Sequence, residues 1–409
     1  MTTNQYDLKD YGGSKEENLV RSVFKNIISD SGFLLPAFLN IVIQSSNAIE
    51  GKSFSDASVY LRLNYEHAEA YGKNYIEGYP ECGGLYLKDI LTLDIFKEFL
   101  ADGVDAIRKN STACRQSFLA LFEFLRERSK HEEAIWKLAK GTSLSGSKET
   151  QVMVGLAHHL FSQLVPGKKY EVDKYAKQLP KECCCGCKAT IYGGNTSVGS
   201  SRTWHGRVDI MLNHTIAVTL GNEETESTEE VEDNDADAEP ESKQRKLETD
   251  GNCDICVEVE ANKKQDNILE SKVLEQILAE AITNGFAQLN RDGSALLHFL
   301  IPTIGVTSDQ ICVCLYDPES DCLLLSSEWL QLWVPEKEIL ANEIIVAVWL
   351  FLNFTVFTAQ KVATKYDLDQ SGLHAELKNN LQHYRKVETK ENFVSSSVPL
   401  KYSFCPNSK

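Results

Sequence analysis

Ile255-Cys-Val-Glu-Val-Glu260 has the period of a β-strand: Ile255, Val257 and Val259 fall on one face, Glu258 and Glu260 on the other. Two carboxylates side by side on an otherwise apolar strand repel each other, and burying either without a partner is costly. A cation relieves both problems, because hard ions such as Mg²⁺ bind through one or two carboxylates plus waters and a phosphate. Upstream, the run GRVDIML (206–212) offers a third carboxylate. Its alternation sets Val208, Ile210 and Leu212 on one face and Asp209 on the other. If these two strands pair, Asp209 and Glu258 converge on one ion. Taken alone, outward glutamates on an alternating strand are the ordinary solvated face of a sheet. The upstream Asp209 is what turns the pair into a candidate site.

Outward from this stretch the texture divides the chain. Residues 1–15 read as a flexible terminus. Residues 16–140 read as a helical amino-terminal region, with Leu19, Val20, Val23, Phe24, Ile27 and Ile28 at helical spacing. GTSLSGS (141–147) is a turn-rich boundary. From 148 to 333 helix and strand mix. A helix is expected over Lys148–Leu164 and another over Val273–Leu289, with strands at Leu296–Val306, Gln310–Tyr316 and Cys322–Ser326. Residues 222–250 interrupt this domain with an acidic, low-complexity insertion expected to be disordered. Residues 336–386 return to helix as a carboxy-terminal extension. The fold class is α/β, a mixed central sheet flanked by helices.

The charge follows the same division. Net charge is −17, but residues 221–250 hold 13 Asp/Glu against 3 Lys/Arg and account for −10 of it. The body is only mildly acidic, so it lacks a global basic field yet can hold a local basic groove. The terminus MTTNQYDLKDYGG has neither the basic nor the apolar stretch of a secretory signal. Twelve cysteines in such a chain suit reduced thiols in cytoplasm or nucleus, not a secreted protein. The apolar run IIVAVWLFLNFTVFTA (344–359) falls short of the roughly 20 residues of a membrane span and carries Asn353, Thr355 and Thr358. It reads as a buried helix, and no membrane partner is expected.

An Asp on one strand, a Glu-x-Lys-like pair on the next and a helix with an early Gln resembles the PD-(D/E)XK nuclease-like superfamily, the restriction-endonuclease-like fold. The pieces here are GRVDI (206–210), VEVEAN (257–262) and KVLEQILAEA (272–281), with Gln276 at the helix start. The run 297–327 is similar to the closing strands, and Glu149 suits the acidic helix that precedes the first strand. The resemblance covers roughly 148–333. It implies metal-dependent cleavage of nucleic-acid phosphodiesters, with DNA or RNA as partner and Mg²⁺ or Mn²⁺ as cofactor. Asp209 and Glu258 would be metal ligands together with the Val259 carbonyl, Glu260 a further ligand or general base, and Gln276 would orient water or phosphate. Glu260 stands where the family usually has Lys, and Val208 where the motif has Pro; Lys263 or Lys264 is a neighbouring substitute for the missing charge. These departures raise the alternative of a catalytically inactive binding or interaction module on the same fold.

Other motifs rank lower. His205, four residues before Asp209, could reach a phosphate, although a structural histidine is the plainer reading. His158 and His159 are expected on a helix surface. The cluster Cys183-Cys-Cys-Gly-Cys187 invites zinc, with CDIC (253–256) as a second half. A site of Cys184, Cys187, Cys253 and Cys256 conflicts with Cys256 lying in a strand, so free thiols are the expectation.

Overall fold

The computed structural model describes residues 7–29, 37–63, 84–140, 148–213, 215–220, 272–327 and 329–389. The boundary 141–147 and the insertion 222–250 lie outside them.

The run Ile311-Cys-Val-Cys-Leu-Tyr316 sets the architecture. Every side chain in it is buried. Ile311, Val313 and Leu315 join one hydrophobic core, and Cys312, Cys314 and Tyr316 join a second. A strand apolar on both faces must be covered on both. It is β11 (Gln310–Asp317) of an 11-stranded mixed sheet. The principal order is β2-β1-β12-β11-β10-β9-β8-β4-β5. The strands are β1 (Phe38–Ser46), β2 (Val59–Leu63), β3 (Gly84–Leu85), β4 (Tyr170–Asp173), β5 (Gly193–Gly194), β6 (Ser197–Gly199), β7 (His205–Arg207), β8 (Ile210–Leu212), β9 (Ile216–Leu220), β10 (Ile301–Val306), β12 (Cys322–Ser326) and β13 (Leu330–Gln331). β3 pairs with β1, β13 with β11, and β6 and β7 form a separate two-stranded sheet. The pairs β9–β10 and β4–β5 are parallel and the rest antiparallel.

Among the described residues seven longer helices cover the sheet: α1 (Lys15–Ile28), α2 (Leu93–Asp102), α3 (Thr112–Arg126), α4 (Arg128–Lys140), α5 (Lys148–Leu156), α6 (Lys272–Asp292) and α7 (Asn342–Leu352). α1 begins where Ser14 Oγ accepts the Glu17 amide at 3.1 Å, a side-chain cap for an otherwise orphan donor. Its Phe24 packs against Phe96, Phe99, Phe118 and Trp349, so α1, α2, α3 and α7 share one aromatic core. α6 covers the opposite face. It lies close against β10 because Gly305 has no side chain there: a Cβ would meet Ile277 Cδ1 at 2.4 Å.

Three expectations are corrected. The amino-terminal region is not wholly helical, since β1 and β2 lie in it and β1 pairs with β12 in the main sheet. Cys322, Leu324 and Phe38 thereby share a core with α1, and the helical carboxy-terminal segment packs into the same body through Trp349. The strand expected over Leu296–Val306 begins at Ile301, after a turn in which His298 has φ 62°. Finally, Val208 does not share a face with Ile210 and Leu212. Val208 lies in the core under α6 and the other two in the opposite core, because the chain leaves the small sheet at Arg207 and enters the main one at Ile210.

Asn353, at the end of α7, ties several of these elements together. Its Nδ2 donates to Leu164 O at 3.0 Å and to Trp349 O at 2.8 Å, and its Oδ1 accepts from Ser117 Oγ at 2.9 Å. All of this is buried. Asn353→Ala is expected to destabilise the fold by about 2–3 kcal/mol, since it orphans buried groups rather than merely losing bonds. A urea unfolding midpoint matching the wild type would contradict this.

Candidate functional site

The bend between β7 and β8 puts Asp209 at the entry to the main sheet, on the side covered by α6. Its backbone carbonyl accepts from Asp173 N at 2.9 Å, which fixes Asp209 beside the end of β4. Its Oδ2 accepts from Leu220 N at 2.8 Å, at the end of β9. No described residue hydrogen-bonds its Oδ1, and the residue keeps some solvent-exposed surface. One oxygen is anchored and the other has no hydrogen-bond partner among the described residues.

Burial pushes the Asp209 carboxyl up to about 7, opposed by the Leu220 bond and reinforced by Glu149 and Asp173. Beneath it lies Glu280 of α6, fully buried. Gln276 Nε2 donates to Glu280 Oε1 at 2.9 Å, and Thr219 Oγ1 donates to Oε2. Burial, and then the nearby Asp209, hold the Glu280 carboxyl well above the usual carboxylate range. Two neighbouring carboxyls in a dry setting cannot both ionise cheaply.

Of the residues singled out from sequence, the structure brings Gln276 and Asp209 to opposite ends of one network, joined through Glu280. Glu149 is exposed near the start of α5, within electrostatic reach of Asp209. His205 sits on β7, where its Nδ1 lies 3.1 Å from Thr203 O, a local structural contact. Glu258, Glu260 and Lys263 lie outside the described residues. Both edges of β8 are taken, by β4 and by β9. Glu280 and Thr219 were missed from sequence. The available signal for Glu280 was an acid four residues after Gln276, flanked by Ile277, Leu278, Ala281 and Ile282 on a helix otherwise made for burial.

The surface around Asp173 is basic and aromatic. Arg207 Nε bonds Asp173 Oδ2 at 2.8 Å, and its guanidinium lies 5.0 Å from the ring centre of Tyr175. Lys174 Nζ approaches the same ring at 5.0 Å. Tyr175 and Tyr192 are 61% and 60% exposed, which leaves both rings available to a partner. Residues 165–213 hold 8 Lys/Arg against 4 Asp/Glu, opposite to the balance of the whole chain.

A second cluster lies behind this surface. After α5 the helix opens into one π turn, Ala157–Phe161, which carries His159 inward. Its side chain is buried, contrary to the expected surface position. The ligand atoms of His159, Cys183, Cys185 and Cys187 all lie within 4.8 Å of one another, so this group could hold a metal ion. The zinc set expected to fail, Cys184 with Cys187, Cys253 and Cys256, therefore had the wrong members. Cys184 points outward, Cys183 and Cys185 take its place, and Cys253 and Cys256 lie outside the described residues. Burial, then His158 and His131, depress the His159 pKa to about 3, so the ring is neutral.

Comparison with protein-family models, curated proteins and solved structures finds no match. Among the described residues no helix is long and apolar enough to cross a membrane.

The raised Asp209 carboxyl makes stability pH-dependent. Between about 4, where the unfolded carboxyl ionises, and about 7, the folded chain keeps a proton that the unfolded chain has released. Stability therefore falls as pH rises through that window and levels off above it. Glu280 shifts in the same direction. Asp209→Asn is expected to flatten the fall. Urea unfolding at about pH 5 and about pH 8 tests this, and equal slopes in both proteins would contradict it.

Proposed function

We propose that this chain cleaves nucleic-acid phosphodiesters in a metal-dependent reaction on a PD-(D/E)XK-like core. The observation that carries the reading is the Asp209 carboxyl, whose Oδ1 has no hydrogen-bond partner among the described residues, set at the entry to the main sheet beside a basic and aromatic rim. The order of elements supports it. A helix bearing Glu149 (α5) precedes the antiparallel strands β4, β8 and β9; α6 with Gln276 follows; then β10 lies parallel to β9, although β9 is Ile216–Leu220 and not the 255–260 run that the resemblance puts between the Asp strand and α6.

The described residues alone do not fit a Mg²⁺ cage. Glu280 has both oxygens engaged by Gln276 and Thr219, so of this pair of carboxyls only Asp209 has an oxygen without a hydrogen bond among the described residues. The further donors in this reading are Glu258 and Glu260. The protein's own part can be derived without the ion. Lys174 and Arg207 attract a phosphate, Tyr175 offers a face for a base to stack on, and Glu280 with Gln276 fixes the floor beneath Asp209.

The test is incubation of the purified chain with labelled DNA and RNA, with and without Mg²⁺ or Mn²⁺. Cleavage is expected only with metal, and Asp209→Ala and Glu258→Ala should each abolish it. Tyr175→Ala should weaken single-strand binding by about 1–3 kcal/mol, roughly five- to 150-fold. Binding without cleavage under every metal condition would instead support a binding module on the same fold. The closed hydrogen bonding of Glu280 favours that second reading. Neither binding nor cleavage would overturn both.

A further inference from the structure

We infer that His159, Cys183, Cys185 and Cys187 form a structural zinc site that pins the loop between β4 and β5 onto the α4 and α5 helices. Zinc bonds are about 2.3 Å to sulfur and 2.0–2.1 Å to nitrogen, so a tetrahedral site has edges of about 3.8 Å between sulfurs and about 3.5 Å between sulfur and nitrogen. Here His159 Nε2 stands 3.2 Å from Cys185 Sγ, 3.4 Å from Cys183 Sγ and 3.7 Å from Cys187 Sγ. Cys183 and Cys185 sulfurs are 3.4 Å apart. Four of the six edges thus lie close to tetrahedral values, and the remaining two are within 4.8 Å. Three thiols cannot all be satisfied by one ring nitrogen as hydrogen-bond partners, whereas one cation serves all four atoms.

The surroundings prepare the ligands. His159 Nδ1 lies 3.2 Å from His131 Nδ1, and His131 Nε2 lies 4.0 Å from Glu127 Oε2. A proton on His131 Nε2, facing Glu127, makes His131 Nδ1 the acceptor. The proton of His159 then sits on Nδ1, and its Nε2 lone pair faces the sulfurs. This is the outer-shell arrangement that orients a metal-binding histidine. The cysteine loop is held from below, since Cys183 N donates to Ala189 O at 2.9 Å and Ile191 N to Lys181 O at 3.0 Å. Gly186, with φ +92°, makes the turn that returns Cys187 to the cluster, a conformation costly for other residues. Four protein ligands leave no open position, which marks a structural rather than a catalytic ion.

The site is independent of the phosphodiester reading, and its test needs no activity. The full chain, purified reduced from zinc-supplemented medium, is expected to carry about one zinc per molecule by elemental analysis. Cobalt substitution should give the thiolate charge-transfer band and visible bands of a tetrahedral thiolate centre. Cys185→Ser should lose the metal, Cys184→Ser should keep it, and His131→Gln should weaken binding by about 10–100-fold in chelator competition. If Cys185→Ser does not fold, the wild-type cobalt spectrum decides. A folded, reduced wild type without zinc and without the cobalt charge-transfer band would overturn the proposal. So would a Cys184→Ser protein stripped as completely as Cys185→Ser.

Discussion

The two-sided burial of β11 is the constraint on which the rest of the fold depends. Its side chains alternate between two hydrophobic cores, and neither core can be left to solvent. One face takes the aromatic cluster of α1, α2, α3 and α7. The other takes α6 and carboxy-terminal side chains such as Leu373, Leu377 and Tyr384. A residue placed in the middle of this sheet is therefore dry by default. The buried polar pair against it, Thr219 of β9 and Glu280 of α6, persists because the two are bonded to each other, and Asp209 at the entry to β8 is bonded to the end of β9.

Part of the sheet, β8 and β10 to β12, was legible because apolar runs and alternation are local properties. β11 and β12 lie where the sequence pattern placed them, and α6 begins within a residue of its expected start. The pairing of β1 with β12 was not legible. It joins segments more than 280 residues apart, and no periodicity records a partner strand. Asp209 was found as an acid in an apolar strand, but the pattern gave the wrong face for Val208. The bend that decides the face comes from a change of sheet, not from residue type.

The cysteine cluster illustrates a different limit. Spacing favoured Cys184 and Cys187, which are separated as in a zinc half-site. The geometry instead uses every second residue, Cys183, Cys185 and Cys187, around a tight turn. The fourth member comes from a helix more than twenty residues earlier, turned inward by one π turn. The loop that bears these cysteines follows directly on Asp173 and Tyr175, so its order and that of the basic rim are coupled through covalent continuity.

The antiparallel contact of Phe38–Asn40 with Leu324–Ser326 has a consequence for biosynthesis. β1 leaves the ribosome long before β12 is made, so its apolar side chains must wait for a partner while most of the chain is still being translated. Closure of the main sheet is then a late, high-contact-order event, slow compared with formation of the helices that precede it. A fragment covering only 148–333 would hold β12 with its outer edge bare, a template for pairing with another copy. The stretch 148–333, which reads as a separable domain in its sequence, is thus completed at β12 by a strand from outside it.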